Sequence, residues 1–376
     1  MKIDIIKKRI ARKAWKQHLH DVRIRNSGKE YAKNHQGISR KDLGEINLAK
    51  YSPLEYNKRL KKAFEQYIKD FTPIHAPENF SVVDNPEEFV DFVNKIRVNY
   101  EARQKVFIVM DKIENITDEA IVVLLSNMIR FREDKIDFNG NKPLKKDVRR
   151  KLEASGFFRL LYNKGQGNEY SVQNIKSTIY THAHKRVDSG MATKLVEAAS
   201  EFLWNEKRRC PGVRNSFMEL MSNTFKHSSD SNRKHHWWVS MAKDYEKRTV
   251  TFGFVDYGLG VFRSLKNKKP DDNLYGALDR LLIRFPWIKS DAETMKLILE
   301  GELHRTVTQK RNHGKGLPSL YQCMQRNDFD NLVIITNNVY VNVKKEKYIM
   351  LNTEFLGTFV SWELTPSIMS LKNTIL

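Results

Sequence analysis

The stretch NSFMELMSNTFKHSSDS, residues 215–231, has the spacing of a helix but an unusual distribution of side chains. Phe217, Leu220, Met221 and Phe225 form an apolar stripe. Glu219, Asn223 and the pair Lys226/His227 recur beside it at steps of about one turn. A helix that only supports a core buries its apolar set and turns the rest to water. A carboxylate, a carboxamide and two bases in one row suit a helix that faces a polar ligand. The rest of the chain has to say which ligand.

Totals bound the answer. The chain has 376 residues, of which 40% are hydrophobic, so it can build cores in roughly two or three domains. Its formal net charge of +21, with a pI near 9.7, favours anionic partners: nucleic acid, nucleotide phosphates, acidic proteins or anionic lipid. The two cysteines, Cys210 and Cys323, are far apart and match no zinc spacing, which fits a reducing compartment and no disulfide scaffold. No apolar run is long enough to span a bilayer, and the basic N-terminus MKIDIIKKRIARKAWK lacks the apolar segment of a secretory signal. A cytoplasmic protein without a membrane partner is expected.

Charge and punctuation divide the chain. Residues 1–75 form a basic N-terminal module holding about half of the net positive charge, with helical patterns in IIKKRIARKAWKQ and again from Pro53 to Phe71. Non-specific contact with nucleic acid is an expectation for this module. Residues 76–165 alternate helix and strand. EEFVDFVNKIRVNY is a helix, KVFIVMDKI a buried strand, and TDEAIVVLLSNMIRF a helix with Thr117 at its N-cap. KIDFNGNKP is strand then turn, and KKDVRRKLEASGFFRLL is a helix ending at Gly156. This order predicts a small sheet with helices packed on it. Residues 166–191 read as a linker and 367–376 as a tail. Residues 192–366 combine helices (ATKLVEAASEFLW, the 215–231 stretch, GKGLPSLYQCMQRN) with strands HHWWVSMAKD, RTVTFGFVDYG, NLVIITNN, VYVNVKK and GTFVSWELT. Mostly antiparallel strands with a few helices predict a two-layer α/β sandwich.

Three glycine-bearing signals sit at joints of this last unit. Asp256-Tyr257-Gly258-Leu259-Gly260 follows the strand TVTFGFV, Gly314-Lys315-Gly316-Leu317 precedes a helix, and Gly357-Thr358 opens the final strand. A carboxylate at a strand end can accept a hydrogen bond from an exocyclic amine such as adenine's. Neighbouring glycines let backbone approach a flat base. A glycine-rich turn feeding a helix offers N–H groups and a positive dipole end to phosphates, and Lys310, Arg311 and Lys315 add charge there.

Taken in order, these segments resemble the GHKL superfamily of ATP-binding domains, which includes gyrase-type topoisomerases, Hsp-type chaperones, histidine kinases and MutL proteins. ELMSNTFKH resembles the N box, DYGLG the G1 box, GKGL the G2 box and GTFVSWEL the closing strand. The resemblance implies a Bergerat-type two-layer fold over residues 192–366 and a site for ATP and Mg²⁺. Asn223 would complete the coordination of Mg²⁺, and Glu219 would orient or deprotonate the attacking water. Lys226 or His227 would touch phosphate or ribose. Asp256, with Gly258 and Gly260, would read adenine with support from Thr358. Gly314, Lys315, Gly316 and Leu317, with Arg311, would hold phosphates. The insert between Val261 and His313 would be the ATP lid, with helical patterns LYGALDRLLIRF and DAETMKLILEGELH.

The segments VFIVMDKIENITDEAIVVLL and FNGNKPLKKDVRRKLEASGFFRLL resemble a STAS domain, the fold of anti-sigma-factor antagonists. Phosphoregulated members carry Asp-Ser at the helix start, where this chain has Thr117-Asp118. Three function classes follow: an ATPase switch that reshapes a protein partner or a homodimer surface, a protein kinase resembling anti-sigma-factor kinases, and a nucleotide-gated nucleic-acid-binding protein.

Overall fold

A computed structural model describes residues 65–66, 68–162, 177–182, 187–226, 237–270, 272, 274–303 and 316–370. Most of the helical pattern expected near the N-terminus therefore lies outside the described residues; Glu65 and Gln66 are helical and a 3-10 turn follows at Ile68–Asp70.

The alternation of short apolar runs and amphipathic stretches in the first unit produces β1 (Thr72–His75), β2 (Asn79–Phe80), α1 (Pro86–Glu101), β3 (Val106–Val109), β4 (Asn115–Ile116), α2 (Asp118–Glu133), β5 (Phe138–Gly140), α3 (Lys146–Ala154) and α4 (Phe157–Tyr162). Strands β1, β3 and β5 form a parallel sheet in that order, and β2 pairs with β4. Thr117 takes the N-cap position of α2 in extended backbone, although its hydroxyl makes no capping hydrogen bond. Helix α3 ends as the glycine signal predicts. Gly156 adopts a left-handed φ of 80°, and the chain re-enters a helix at once as α4.

The second unit contains β6 (Ser177–His182), α5 (Ser189–Trp204), α6 (Pro211–Lys226), β7 (Trp237–Asp244), β8 (Thr249–Asp256), α7 (Val261–Lys266), α8 (Ala277–Arg284), α9 (Asp291–Leu299), α10 (Leu317–Gln325), β9 (Asp330–Asn342), β10 (Lys347–Leu364) and α11 (Pro366–Ser370). Its five strands form one sheet in the order β6-β7-β8-β10-β9, antiparallel throughout. Several details differ from the sequence expectation: β10 begins at Lys347 and not at Gly357, and a short helix, α7, follows Gly260. The stretch read as a linker supplies β6 and the start of α5. NLVIITNN and VYVNVKK, read as separate strands, belong to one strand, β9, kinked at Asn337, which has a φ of 52°.

Continuous apolar runs explain how the sheet is covered. Successive residues of a strand point to opposite faces, so runs such as WWV and LVII load both. Val239, Phe252, Phe254, Ile334, Val360 and Trp362 share a core with residues of α5, α6, α9 and α10. Trp238, Val255, Val333, Ile335 and Phe359 share a second core with α1 and α2 of the first unit. The second unit's own elements make two layers, and the first unit adds a third. Each fully buried large apolar side chain contributes roughly 1.5–3 kcal/mol, so the units are joined by a core and not by a surface contact.

One glycine makes the close approach of α2 possible. A Cβ on Gly253, in the middle of β8, would stand 2.6 Å from Ser240 Oγ and 3.5 Å from Glu119 Cβ. The first turn of α2 lies over that flat patch and buries Glu119 to 9% exposure. Burial pushes the Glu119 carboxyl up to about 7.

Candidate functional site

Helix α6 is pinned to the sheet by Phe217, whose ring centroid lies 5.3 Å from that of Phe252 and 4.8 Å from that of Trp362. Leu220 and Met221 extend this buried face, while Glu219 and Asn223 lie on its half-buried flank. Glu219 Oε1 is shielded from solvent and has no hydrogen-bond partner among the described residues. Arg214, the nearest cation in sequence, donates its Nε–H to Thr193 Oγ1 at 3.2 Å.

The turn before α10 meets this flank. Gly316 has a φ of 89°, a conformation that side-chain-bearing residues rarely adopt, and a Cβ there would stand 3.3 Å from Asn223 Nδ2. Two segments distant in sequence, the 215–231 helix and the GKGL turn, are thus in contact. Leu317, the next residue, sends its side chain into the core, so only its backbone is placed to meet a ligand.

Asp256 ends β8 and sits in register with Thr358 of β10 on one side and Trp237 of β7 on the other. Its Oδ1 accepts the Gly258 N–H at 2.8 Å. Burial raises the Asp256 carboxyl to about 6, and that one hydrogen bond offsets the rise only in part. Gly357 bulges β10 just before Thr358. Its φ is 104°, and a Cβ there would fall 2.0 Å from the Asp256 carbonyl oxygen.

Behind this pair, Thr336 Oγ1 accepts the Val261 N–H at 2.9 Å, donates to the Gly357 carbonyl at 3.2 Å and lies 3.4 Å from Thr358 Oγ1. Asn337 Oδ1 accepts the Phe262 N–H at 3.0 Å, and its Nδ2 donates to the Leu259 carbonyl and to Glu354 Oε1, both at 3.0 Å. The DYGLG loop is held from below by two adjacent polar residues of β9. The polar Thr-Asn-Asn break in an otherwise apolar strand was the available sequence signal for them.

Tyr257 holds the same loop from the other side. Its hydroxyl lies 2.5 Å from Ser126 Oγ and accepts from Asn127 Nδ2, and Arg130 covers its ring at 4.7 Å. Burial pushes this phenol up to about 12. Of the other expected site residues, the Lys226 side chain, His227, Arg311, Gly314 and Lys315 lie outside what is described. Among the described residues no three His, Cys, Asp or Glu side chains cluster as a metal site, and no helix is long and apolar enough to cross a membrane. No protein-family model matches the chain, and comparison with curated proteins and with solved structures finds no match either.

Proposed function

We propose that the second unit is a Bergerat-type domain that binds ATP with Mg²⁺, that the first is STAS-like, and that the chain hydrolyses ATP to drive a conformational switch. One observation carries the proposal: the close approach of the Gly316 turn to Asn223, one turn along α6 from Glu219, whose buried Oε1 has no partner among the described residues. A structural helix has no use for an orphaned carboxylate, since leaving a buried acceptor unsatisfied costs about 1–3 kcal/mol. A helix that faces phosphates and water does.

The residues fit the groups they would hold. Gly316 keeps space open beside the Asn223 carboxamide, where a Cβ would crowd it. Asn223 can offer a neutral oxygen to a hard cation that takes its remaining ligands from phosphates and water. Mg²⁺, when bound, supplies positive charge to the phosphates. Glu219 would take a proton from the attacking water. Asp256, partly desolvated and fixed by Gly258, has its second oxygen left to accept from an adenine amine, with the Thr358 hydroxyl alongside. Calorimetry of the full chain with ATP, GTP and ADP in MgCl₂ tests the proposal. ATP and ADP should bind in preference to GTP, and phosphate release should follow ATP addition. A chain that binds neither adenine nucleotide is not of this class.

A further inference from the structure

We propose that the insert between β8 and α10 carries a surface that lies on a bilayer of acidic lipids. Four of the ten exposed large apolar side chains among the described residues are Tyr275, Leu282, Ile283 and Trp287, so apolar exposure is concentrated in one short segment. Local chemistry puts them outside. Helix α8 turns Ala277 and Leu281 into the core, which leaves Leu282 and Ile283 on its other faces, Ile283 at 78% exposure. Pro286 then stops the helix, because the residue before a proline is pushed out of the helical region. Phe285 accordingly has a φ of −123° and a ψ of 69°. Trp287 follows at 66% exposure, its ring edge-on to that of Phe285 with centroids 5.4 Å apart.

Cations rim this patch. From Tyr275 to Lys289 the chain has Arg280, Arg284 and Lys289 against one acid, Asp279, and all four are exposed. Arg280 donates one N–H to the Tyr275 carbonyl at 2.8 Å, and Arg284 stands 3.4 Å from Glu302 and 5.2 Å from the centroid of the Phe285 ring. A guanidinium has five N–H groups, so most stay open to a ligand. The occupant is therefore both apolar and anionic. A second copy would bring the same cations, and a charge of +21 against +21, so like charges oppose it. Nucleic acid would stack on the aromatic rings but leave the aliphatic Leu282 and Ile283 unburied. Acidic lipids meet both needs. Ile283 and Leu282 enter the acyl boundary, the indole and phenol sit at headgroup level, and the cations meet lipid phosphates. Side chains that protrude this far need no matching groove in a fluid interface. The expectation of no membrane partner rests on the lack of a spanning segment, and a surface that lies on a bilayer needs none. Nothing in this surface depends on nucleotide binding by the second unit.

The test uses the full chain with vesicles of phosphatidylcholine alone, or of phosphatidylcholine and phosphatidylglycerol in equal parts. The basic N-terminal module can also hold acidic vesicles by charge, so the readouts are local. Phosphatidylcholine brominated on its acyl chains, placed in the mixed vesicles, should quench the Trp287 emission, taken as the difference between the parent and Trp287→Phe. The double variant Ile283→Asp with Trp287→Asp should weaken binding to the mixed vesicles about tenfold or more. What binding remains should disappear at high salt, as contact through charge alone does. The proposal is overturned if the Trp287 emission stays unquenched, if the folded double variant binds as tightly as the parent, or if phosphatidylcholine alone binds equally well. A dimer that the double variant breaks, with no quenching, would give the patch to a second copy instead. The quenching is read on the parent and the mild Trp287→Phe variant, so failure of the double variant to fold leaves the test intact.

Discussion

The Tyr257 hydroxyl accepts a hydrogen bond from Asn127 Nδ2 at 2.8 Å, so the polar end of the residue that follows Asp256 is anchored in the first unit. Ser126 and the Val123 carbonyl complete the polar notch, and Arg130 lies between the rings of Tyr257 and Tyr100. Helix α2 therefore fixes one end of the loop that carries the candidate base-reading carboxylate. A shift of α2 along the sheet would move that loop.

Tyr257→Phe should lower stability by about 1 kcal/mol, the net worth of a buried hydrogen bond. Ser126 and Asn127 keep their bonds to the Val123 carbonyl, which limits the loss. Tyr257→Ala should cost about 3 kcal/mol or more by opening a cavity between the units. Urea unfolding measures both. Adenine-nucleotide affinity should fall with them, and an unchanged affinity in Tyr257→Ala would separate the latch from the site.

This dependence on α2 was not legible in the sequence, and the reason is physical. The apolar runs on β7, β9 and β10 were visible, but a run loaded on both faces does not say which helices cover the second face. Gly253, which lets α2 lie flat on β8, looks in sequence like any strand glycine. By contrast, the position of Thr117 before α2, the break at Gly156, the hairpin of β7 and β8, and α10 after Gly316 were all readable, because each rests on local chemistry. The contact of Asn223 with Gly316 lies between these cases: both ends were singled out as residues, and only the fold brings them together.

Asp256 should make nucleotide affinity and stability move in opposite directions with pH. Its folded carboxyl is raised from the ordinary 3.8 to about 6. The empty protein therefore takes up the proton more readily than the unfolded chain and gains stability as pH falls from about 6 towards 4. The proton blocks an acceptor, so ATP affinity should fall over the same range. Asp256→Asn should flatten both curves and weaken ATP binding at pH 7.5, since it turns N–H donors towards the adenine amine. Parallel titrations of the two proteins by calorimetry and thermal melting give the comparison.

Glu119 offers a second effect on stability, away from the candidate site. Burial raises its carboxyl from 4.5 to about 7, with Asp118 adding to the rise and Lys151 opposing it. The raised value means the folded state is stabilised as pH falls from about 7 to 4.5 and is penalised above 7. The full penalty is of order 3 kcal/mol at 1.36 kcal/mol per unit. Glu119→Gln should therefore be more stable than the parent at pH 8 and nearly equal to it at pH 5. A variant that is less stable at pH 8 would show that the charged form has a partner it cannot do without.

Gly357→Ala should disrupt the site through the backbone. The added Cβ meets the Asp256 carbonyl at 2.0 Å, inside any tolerable contact, and the φ of 104° is strained for alanine. The bulge must shift, and Thr358 loses its register with Asp256. A stability loss of about 3 kcal/mol or more is expected. Gly301→Ala is the control, since it also has a positive φ, 85°, but open space around its Cβ. It should cost only the strain, about 1 kcal/mol. Equal losses in the two variants would remove the steric account of the bulge.

Glu219 and Asn223 lie one turn apart on α6, and their substitutions should separate chemistry from binding. Glu219 Oε1 is buried without a partner among the described residues, so Glu219→Ala removes an unsatisfied acceptor and should leave stability unchanged or raised. ATP affinity should stay within a few-fold, while turnover falls by roughly 10²-fold or more, the usual loss for a general base. Asn223→Ala should instead lose the Mg²⁺-dependent part of ATP binding and keep the affinity measured in EDTA. It also widens the space beside Gly316, where a Cβ now would crowd the carboxamide. The double substitution Asn223→Ala with Gly316→Ala relieves that crowding but keeps the strain of the 89° φ, so it should fold without recovering Mg²⁺ dependence. Binding isotherms with and without Mg²⁺, run beside phosphate release, resolve the two roles. If Glu219→Ala hydrolyses at the parent rate, the orphaned oxygen has some other purpose, and α6 would serve binding alone.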